Sequence, residues 1–170
     1  MFVIPMAGLS SRFFDAGYQE PKYMLKAGDK TLFDLSLSSF KTYFESDSFL
    51  FIVLKDYNTP HFVRLQAEKL GIRDFKVVVL EHSTSGQAET VAIGLEKVPK
   101  KINDPIYIFN IDTFRPSFSK PKLCISADGY LETFIGAGSN WSNIEPMENS
   151  SDQVLRTAEK QEISEYCCTG

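Results

Sequence analysis

The sequence predicts an α/β fold, a Rossmann-like and mostly parallel sheet with helices on both faces, followed by a region of mixed sheet. Three observations predict it. Strand-like and helix-like patterns alternate over residues 1–112. The strand segments are continuous apolar runs, as strands covered on both faces require. After Asp112 helical periodicity gives way to short strand-like pieces and polar loops. At 170 residues, 43% hydrophobic and 24% charged, the chain is long enough to bury a core and is expected to fold as a single domain.

Phe2 to Met6 is a short apolar run ending at Ala7-Gly8, the pattern of a buried strand entering a turn. A loop to about residue 31 follows. From Leu32 to Phe44 the residues Phe33, Leu37, Phe40 and Phe44 recur at helical spacing and define one buried face. FLFIVL, residues 49–54, is a second buried strand. Thr59-Pro60 starts a helix and Gly71 stops it, with Val63, Ala67 and Leu70 along one face between them. FKVVVL, residues 75–80, is a third strand. Gly86 to Val98 carries Ala88, Val91, Ala92, Leu95 and Val98 at helical spacing, and Pro105 to Asp112 reads as a strand ending on a carboxylate. LETFIGA, QVLRTAEK and ISEYCCTG are the later strand-like pieces, with a polar loop from Ser139 to Asp152. Parallel sheets bind ligands at the carboxyl ends of their strands. The Ala7 to Arg12 loop, Glu81 to Gln87 and Asp112 all fall there.

Composition narrows the function classes. A net charge of −4 opposes a nucleic-acid scaffold, which needs a broad basic surface. No run of eighteen apolar residues and no signal-peptide pattern is present, so a cytoplasmic protein without a membrane partner is expected. Cys124, Cys167 and Cys168 suit neither a disulfide framework nor a zinc site, and three buried thiols are expected. His61 and His82 lack a metal-ligand pattern. Trp141 either packs over a ligand or joins an aromatic core.

Ala7-Gly8-Leu9-Ser10-Ser11-Arg12 offers backbone N–H groups and hydroxyls that can face an anion, with a cation at the end of the turn. The plain alternative is a strand–loop turn with a surface arginine. Glu20-Pro21-Lys22 changes the balance, because proline fixes the loop so that Lys22 returns toward the same strand end. A second cation there would meet the charge that accumulates in phosphoryl transfer.

These segments resemble the sugar-phosphate nucleotidyltransferases, or nucleotide-sugar pyrophosphorylases. That family opens with an apolar strand, A-G-x-G-S/T-R, a spacer and P-K-x-M/L-L. Met6-Ala7-Gly8-Leu9-Ser10-Ser11-Arg12 and Pro21-Lys22-Tyr23-Met24-Leu25 match it. Ser10 departs from it, standing where the family has a second glycine. The resemblance implies a glycosyltransferase-A type fold, with a nucleotide-binding part over 1–112 and a substrate-recognition part over 113–170. It implies attack by a sugar phosphate on a nucleoside triphosphate, a pyrimidine nucleotide being favoured, to give a nucleotide-sugar for surface polysaccharide synthesis and pyrophosphate. Arg12 and Lys22 would be catalytic, and Met6, Ala7, Gly8, Leu9, Ser10 and Ser11 would hold base and phosphates.

Three further matches extend the resemblance. Gly86-Gln87-Ala88-Glu89-Thr90 lies at a strand-to-helix junction where the family reads the base; alternatively Ser85-Gly86 only caps the helix. Glu89 and Thr90 are expected to be structural. Asp112 in Asn110-Ile111-Asp112 matches the family's metal-binding aspartate, implying Mg²⁺ as cofactor; alternatively it only forms a turn. Arg156-Thr157-Ala158-Glu159-Lys160 and Cys168-Thr169-Gly170 resemble the family's E-K and T-G elements, implying substrate contacts from Glu159, Lys160 and Thr169; alternatively the Glu-Lys pair is a solvated strand edge. The family domain ordinarily continues past the T-G strand, so a C-terminally incomplete chain is expected. A cytidylyltransferase acting on a polyol phosphate or phosphocholine, a non-catalytic nucleotide-binding module and a glycosyltransferase are the competing readings, and a homo-oligomer stays open. The last of them ordinarily carries Asp-x-Asp, of which Asn110-Ile111-Asp112 has one carboxylate.

Overall fold

Side chains along a strand alternate between its faces, and the first strand, β1 (Phe2–Met6), uses that alternation to found two apolar layers. Phe2, Ile4 and Met6 join one cluster, Val3 and the following Ala7 the other. A computed structural model describes residues 1–99, 104–122 and 126–169. The chain divides into two units, Met1–Ser119 and Lys120–Gly170.

In the first unit a short helix, α1 (Ser11–Asp15), follows the first loop, and a hairpin of β2 (Lys26–Ala27) and β3 (Lys30–Thr31) leads into α2 (Leu32–Ser38). Then come β4 (Ser48–Leu54), α3 (Thr59–Leu70), β5 (Asp74–Leu80), α4 (Gln87–Glu96) and β6 (Tyr107–Ile108). The sheet has the order β5-β4-β1-β6 with parallel pairing at each described seam, as the apolar runs predict. Helices α2 and α3 cover one face through Phe33, Leu37, Val63 and Ala67. Helix α4 covers the other through Val91, against Leu50 and Ile52. It comes close there: a Cβ on Gly94 would lie 2.2 Å from Ile52 Cδ1.

Local chemistry sets the boundaries. Helix α2 starts at a capping box, Thr31 Oγ1 accepting from the Asp34 amide at 3.1 Å and Asp34 Oδ2 from the Thr31 amide at 3.0 Å. It stops at Ser38, short of the predicted Phe44, where the Ser38 hydroxyl bonds back to the Leu35 carbonyl. Phe40 and Phe44 are nevertheless buried, carried inward around a 3₁₀ turn at Lys41–Tyr43. Gly71, at φ 84°, closes α3 in the left-handed conformation. Strand β6 is two residues long, not the predicted eight. Beyond it the carbonyls of Asn110 and Thr113 turn to the buried Ser36 hydroxyl, at 3.3 and 2.9 Å, so Asp112 sits on a turn past the strand.

In the second unit β7 (Thr133–Ile135), β8 (Asn143–Met147), β9 (Ser150–Ala158) and β10 (Tyr166–Cys168) form a sheet of order β7-β10-β8-β9. Each described pairing is antiparallel, where the sequence suggests a mixed sheet. Strand β8 occupies the stretch predicted as polar loop. Asn143 and Ile144 are its buried residues, and Asn143, wholly buried, donates to the Tyr166 carbonyl and Cys167 Sγ, each at 3.2 Å. Cys167 is buried, whereas Cys168 is half-buried, and burial pushes its thiol pKa up; Cys124 lies outside the described residues. Trp141 packs edge-to-face on Phe134 at 5.0 Å and stays 43% exposed. No helix among the described residues is long and apolar enough to cross a membrane.

Candidate active site

The first loop takes its shape from Ser10. This residue adopts φ 54° and ψ 26°, a left-handed backbone at the cap of α1. That conformation disfavours a side chain by roughly 1–2 kcal/mol, which accounts for glycine in the pattern it departs from. The serine returns something for the strain: its Oγ accepts the Lys22 backbone N–H at 3.3 Å. The two cation-bearing segments are thereby tied together.

Lys22 opens a 3₁₀ turn behind Pro21. Its Nζ donates to Asp112 Oδ2 at 2.7 Å, across ninety positions of sequence. The side chains are 27% and 41% exposed, so the pair stands at the mouth of a cleft. That cleft, about 180 Å³, is lined by Met6, Gly8, Lys22, Asn110 and Asp112 among others. A neighbouring cleft of about 450 Å³ extends from Gly8 and Leu9 past Phe14 and Pro21 to Asp56 and Tyr57. The side chain of Arg12 is exposed and has no partner among the described residues.

Gln87, in the first turn of α4, donates from Nε2 to Asn110 Oδ1. Gly86 is exposed with an extended backbone, and no side chain caps the helix there. Instead Glu89 Oε2 accepts from the amide and hydroxyl of Ser85, at 2.6 and 2.7 Å. Those bonds hold its carboxyl below the ordinary carboxylate range. Thr90 is buried and bonds to the Gly86 carbonyl and Thr84 hydroxyl. Glu89 and Thr90 thus shape the junction.

In the second unit Glu159 and Lys160 follow β9 on a bend and are not in the strand itself. Glu159 accepts from the Ser142 hydroxyl and pairs with Lys160 Nζ at 3.2 Å. The Ser142 bond is the main reason its pKa is lowered. The Ser142 carbonyl takes the Cys168 amide at 2.8 Å, and Thr169 donates both amide and hydroxyl to the Glu132 carbonyl. Ser142 therefore joins the end of β9 to the end of β10.

Met6, Gly8, Lys22 and Asp112 are thus brought around one cleft, and Gln87 reaches it through Asn110. Sequence reasoning missed Asn110 as a participant. The signal was available, since Asn110 precedes Asp112 by two positions at the same strand end. It also missed the Asp56–Thr59 turn, for which no pattern in the sequence points to the loop it touches.

Solved structures similar to this chain share its fold. A nucleoside-diphosphate-sugar pyrophosphorylase from Vibrio cholerae RC9 matches over the whole chain and 71% of its own length, with 53% identity and a TM-score of 0.93. A UDP-glucose pyrophosphorylase solved with UDP-glucose matches over 99% of this chain and 73% of its own, with 15% identity and a TM-score of 0.71. The inositol-1-phosphate CTP transferase of T. maritima matches over 99% and 67%, with 14% identity and a TM-score of 0.72. The last two are likenesses of fold alone. No protein-family model and no curated protein sequence matches the chain.

Proposed function

The chain belongs to the nucleoside-diphosphate-sugar pyrophosphorylase family and is a nucleotidyltransferase, and from that premise we propose that it joins a nucleoside triphosphate to a sugar phosphate with release of pyrophosphate. The observation that carries this reading is the Lys22 ammonium beside the Asp112 carboxylate in the cleft under the Gly8 turn. The acceptor's phosphate oxygen attacks the α-phosphorus, forming one P–O bond, while the bond to the β-phosphate breaks and pyrophosphate leaves with its electron pair. The nucleophile is already anionic, so no strong base is required, and alignment and charge neutralisation do the work. Arg12 and Lys22 supply positive charge to the phosphates, and the Ala7–Ser11 loop supplies backbone donors. A pyrimidine base at Gly86-Gln87 and an acceptor held by Glu159, Lys160 and Thr169 complete the reading. The product is the activated donor that cytoplasmic steps of surface polysaccharide assembly consume.

Mg²⁺ fits the donors present. Asp112 offers one hard carboxylate, and among the described residues no cluster of three His, Cys, Asp or Glu side chains gathers. That suits an ion carried in on the triphosphate, which takes one or two carboxylates and otherwise phosphate oxygens. When bound it would offset charge on the phosphates.

The test is a panel of four nucleoside triphosphates against hexose 1-phosphates, polyol phosphates and phosphocholine with Mg²⁺, scored by pyrophosphate release. A pyrimidine triphosphate with a hexose 1-phosphate is expected to react. Reaction only with a polyol phosphate or phosphocholine reassigns the acceptor. Release with no combination overturns the proposal.

A further inference from the structure

The turn after β4 touches both cation-bearing segments of the first loop. Tyr57 stacks on Phe14 with ring centroids 5.3 Å apart and planes 20° from parallel. Two residues on, Thr59 Oγ1 bonds to the Tyr23 hydroxyl at 2.9 Å. Phe14 stands two positions after Arg12, and Tyr23 directly follows Lys22. The turn is also strained. Tyr57 and Asn58 are successive non-glycine residues at φ 54° and 53°, a conformation that persists only where its surroundings enforce it, and one that clusters at functional sites. What enforces it is local: Thr59 Oγ1 donates to the Asp56 carbonyl at 2.6 Å, and the Tyr57 ring is held against Phe14.

Helix α1 needs such a brace. It has five residues and buries none of them, and a helix of that length does not hold itself in water. Its other ring contact, Phe13 with Tyr18 at 5.8 Å, lies within the same loop. The Phe14–Tyr57 stack and the Ser10–Lys22 bond tie the loop to the rest of the unit. Arg12, exposed and without a partner among the described residues, takes its position from the backbone of α1 alone.

Resting on the reading of this cleft as a polyphosphate site, we propose that Tyr57 is a positioning residue: its ring, through Phe14, fixes α1 so that Arg12 is aimed at the phosphates before they arrive. Preorganisation of this kind appears as affinity, because the loop is not ordered at the ligand's expense. The aromatic face is what matters, and the hydroxyl is dispensable.

The test compares Tyr57→Asn, which keeps a side chain tolerant of the left-handed backbone and removes the ring, with Tyr57→Phe, which keeps the ring. Amide exchange over residues 11–17 of the free protein is expected to quicken in Tyr57→Asn alone, with β4 and α3 unchanged. In calorimetric titration with inorganic tripolyphosphate and Mg²⁺, Tyr57→Asn should bind about three- to tenfold more weakly, the factor one aromatic pair carries. Tyr57→Phe should match the wild type. A wild type that binds no tripolyphosphate overturns the reading of the cleft and this role with it. A wild type that binds, beside a Tyr57→Asn with unchanged exchange or affinity, overturns the role alone. So does a Tyr57→Phe that fails like Tyr57→Asn.

Discussion

Lys22 Nζ and Asp112 Oδ2 lie 2.7 Å apart, so the lysine expected to meet phosphate and the carboxylate expected to meet a metal neutralise each other in the free protein. A pair this exposed contributes at most about 1 kcal/mol to stability. Its meaning under the proposed function is that a divalent ion held by Asp112 would compete with Lys22 for one carboxylate.

Lys22→Ala should therefore separate two quantities. Turnover in the panel assay is expected to fall by about a hundredfold or more, the scale of a lost charge-stabilising donor, while the urea midpoint hardly moves. Mn²⁺ binding to the nucleotide-free variant, followed by electron spin resonance, should tighten. Near-normal turnover would remove Lys22 from the mechanism, and unchanged Mn²⁺ affinity would remove the competition.

Ser10 makes a second separation. Ser10→Ala keeps the strained backbone and loses the bond to the Lys22 amide, and should cost about 1 kcal/mol. Ser10→Gly loses the same bond and sheds the strain, and should lie closer to the wild type. Urea denaturation of both variants ranks them. An alanine variant at least as stable as the glycine variant contradicts the account of this turn.

Gly94→Ala places a methyl within 2.2 Å of Ile52 Cδ1. Both elements are packed, and overfilling of this kind costs about 1–3 kcal/mol, more than the helix propensity that alanine gains. Truncating the partner as well, in Gly94→Ala with Ile52→Val, should recover part of the loss. Additive effects of the two changes would mean that the helix and strand do not meet as described.

Glu89 predicts a pH dependence. The hydrogen bonds from Ser85 lower its folded-state pKa from the ordinary 4.5. A depressed carboxylate stabilises the fold above its unfolded pKa, and that contribution is lost as pH falls through the folded value. The window is therefore below pH 4.5. Glu89→Gln should lose that contribution at neutral pH and converge on the wild type at the acid end, so that its stability varies less with pH across the window, read by circular dichroism. An acid limb identical to that of the wild type would deny the Ser85 bonds any part in it.

The parallel sheet was legible because FLFIVL is a continuous apolar run and FKVVVL is one broken only by Lys76, with helical patterns on either side. Phe33, Leu37, Phe40 and Phe44 announced their burial through spacing, yet that spacing says nothing of the break at Ser38, where a side chain bonds its own helix. Strand β8 was hidden because its fully buried position is an asparagine, satisfied by Tyr166 and Cys167 from elsewhere. Arg12, Lys22 and Asp112 were readable as residue types in order. The pairing of Lys22 with Asp112 was not, because the contact spans ninety positions and depends on how sharply the chain turns after β6. Phe14 and Tyr57 carry no periodicity at all, and only folding makes them neighbours.

The bond from Gln87 to Asn110 has a consequence for discrimination. It uses one N–H of Gln87 and one lone pair of Asn110, so each amide keeps donor and acceptor capacity while its orientation is set. On the proposed base-reading role of Gln87, a nucleotide would meet an amide pair already turned one way and would be selected by how well it matches that orientation.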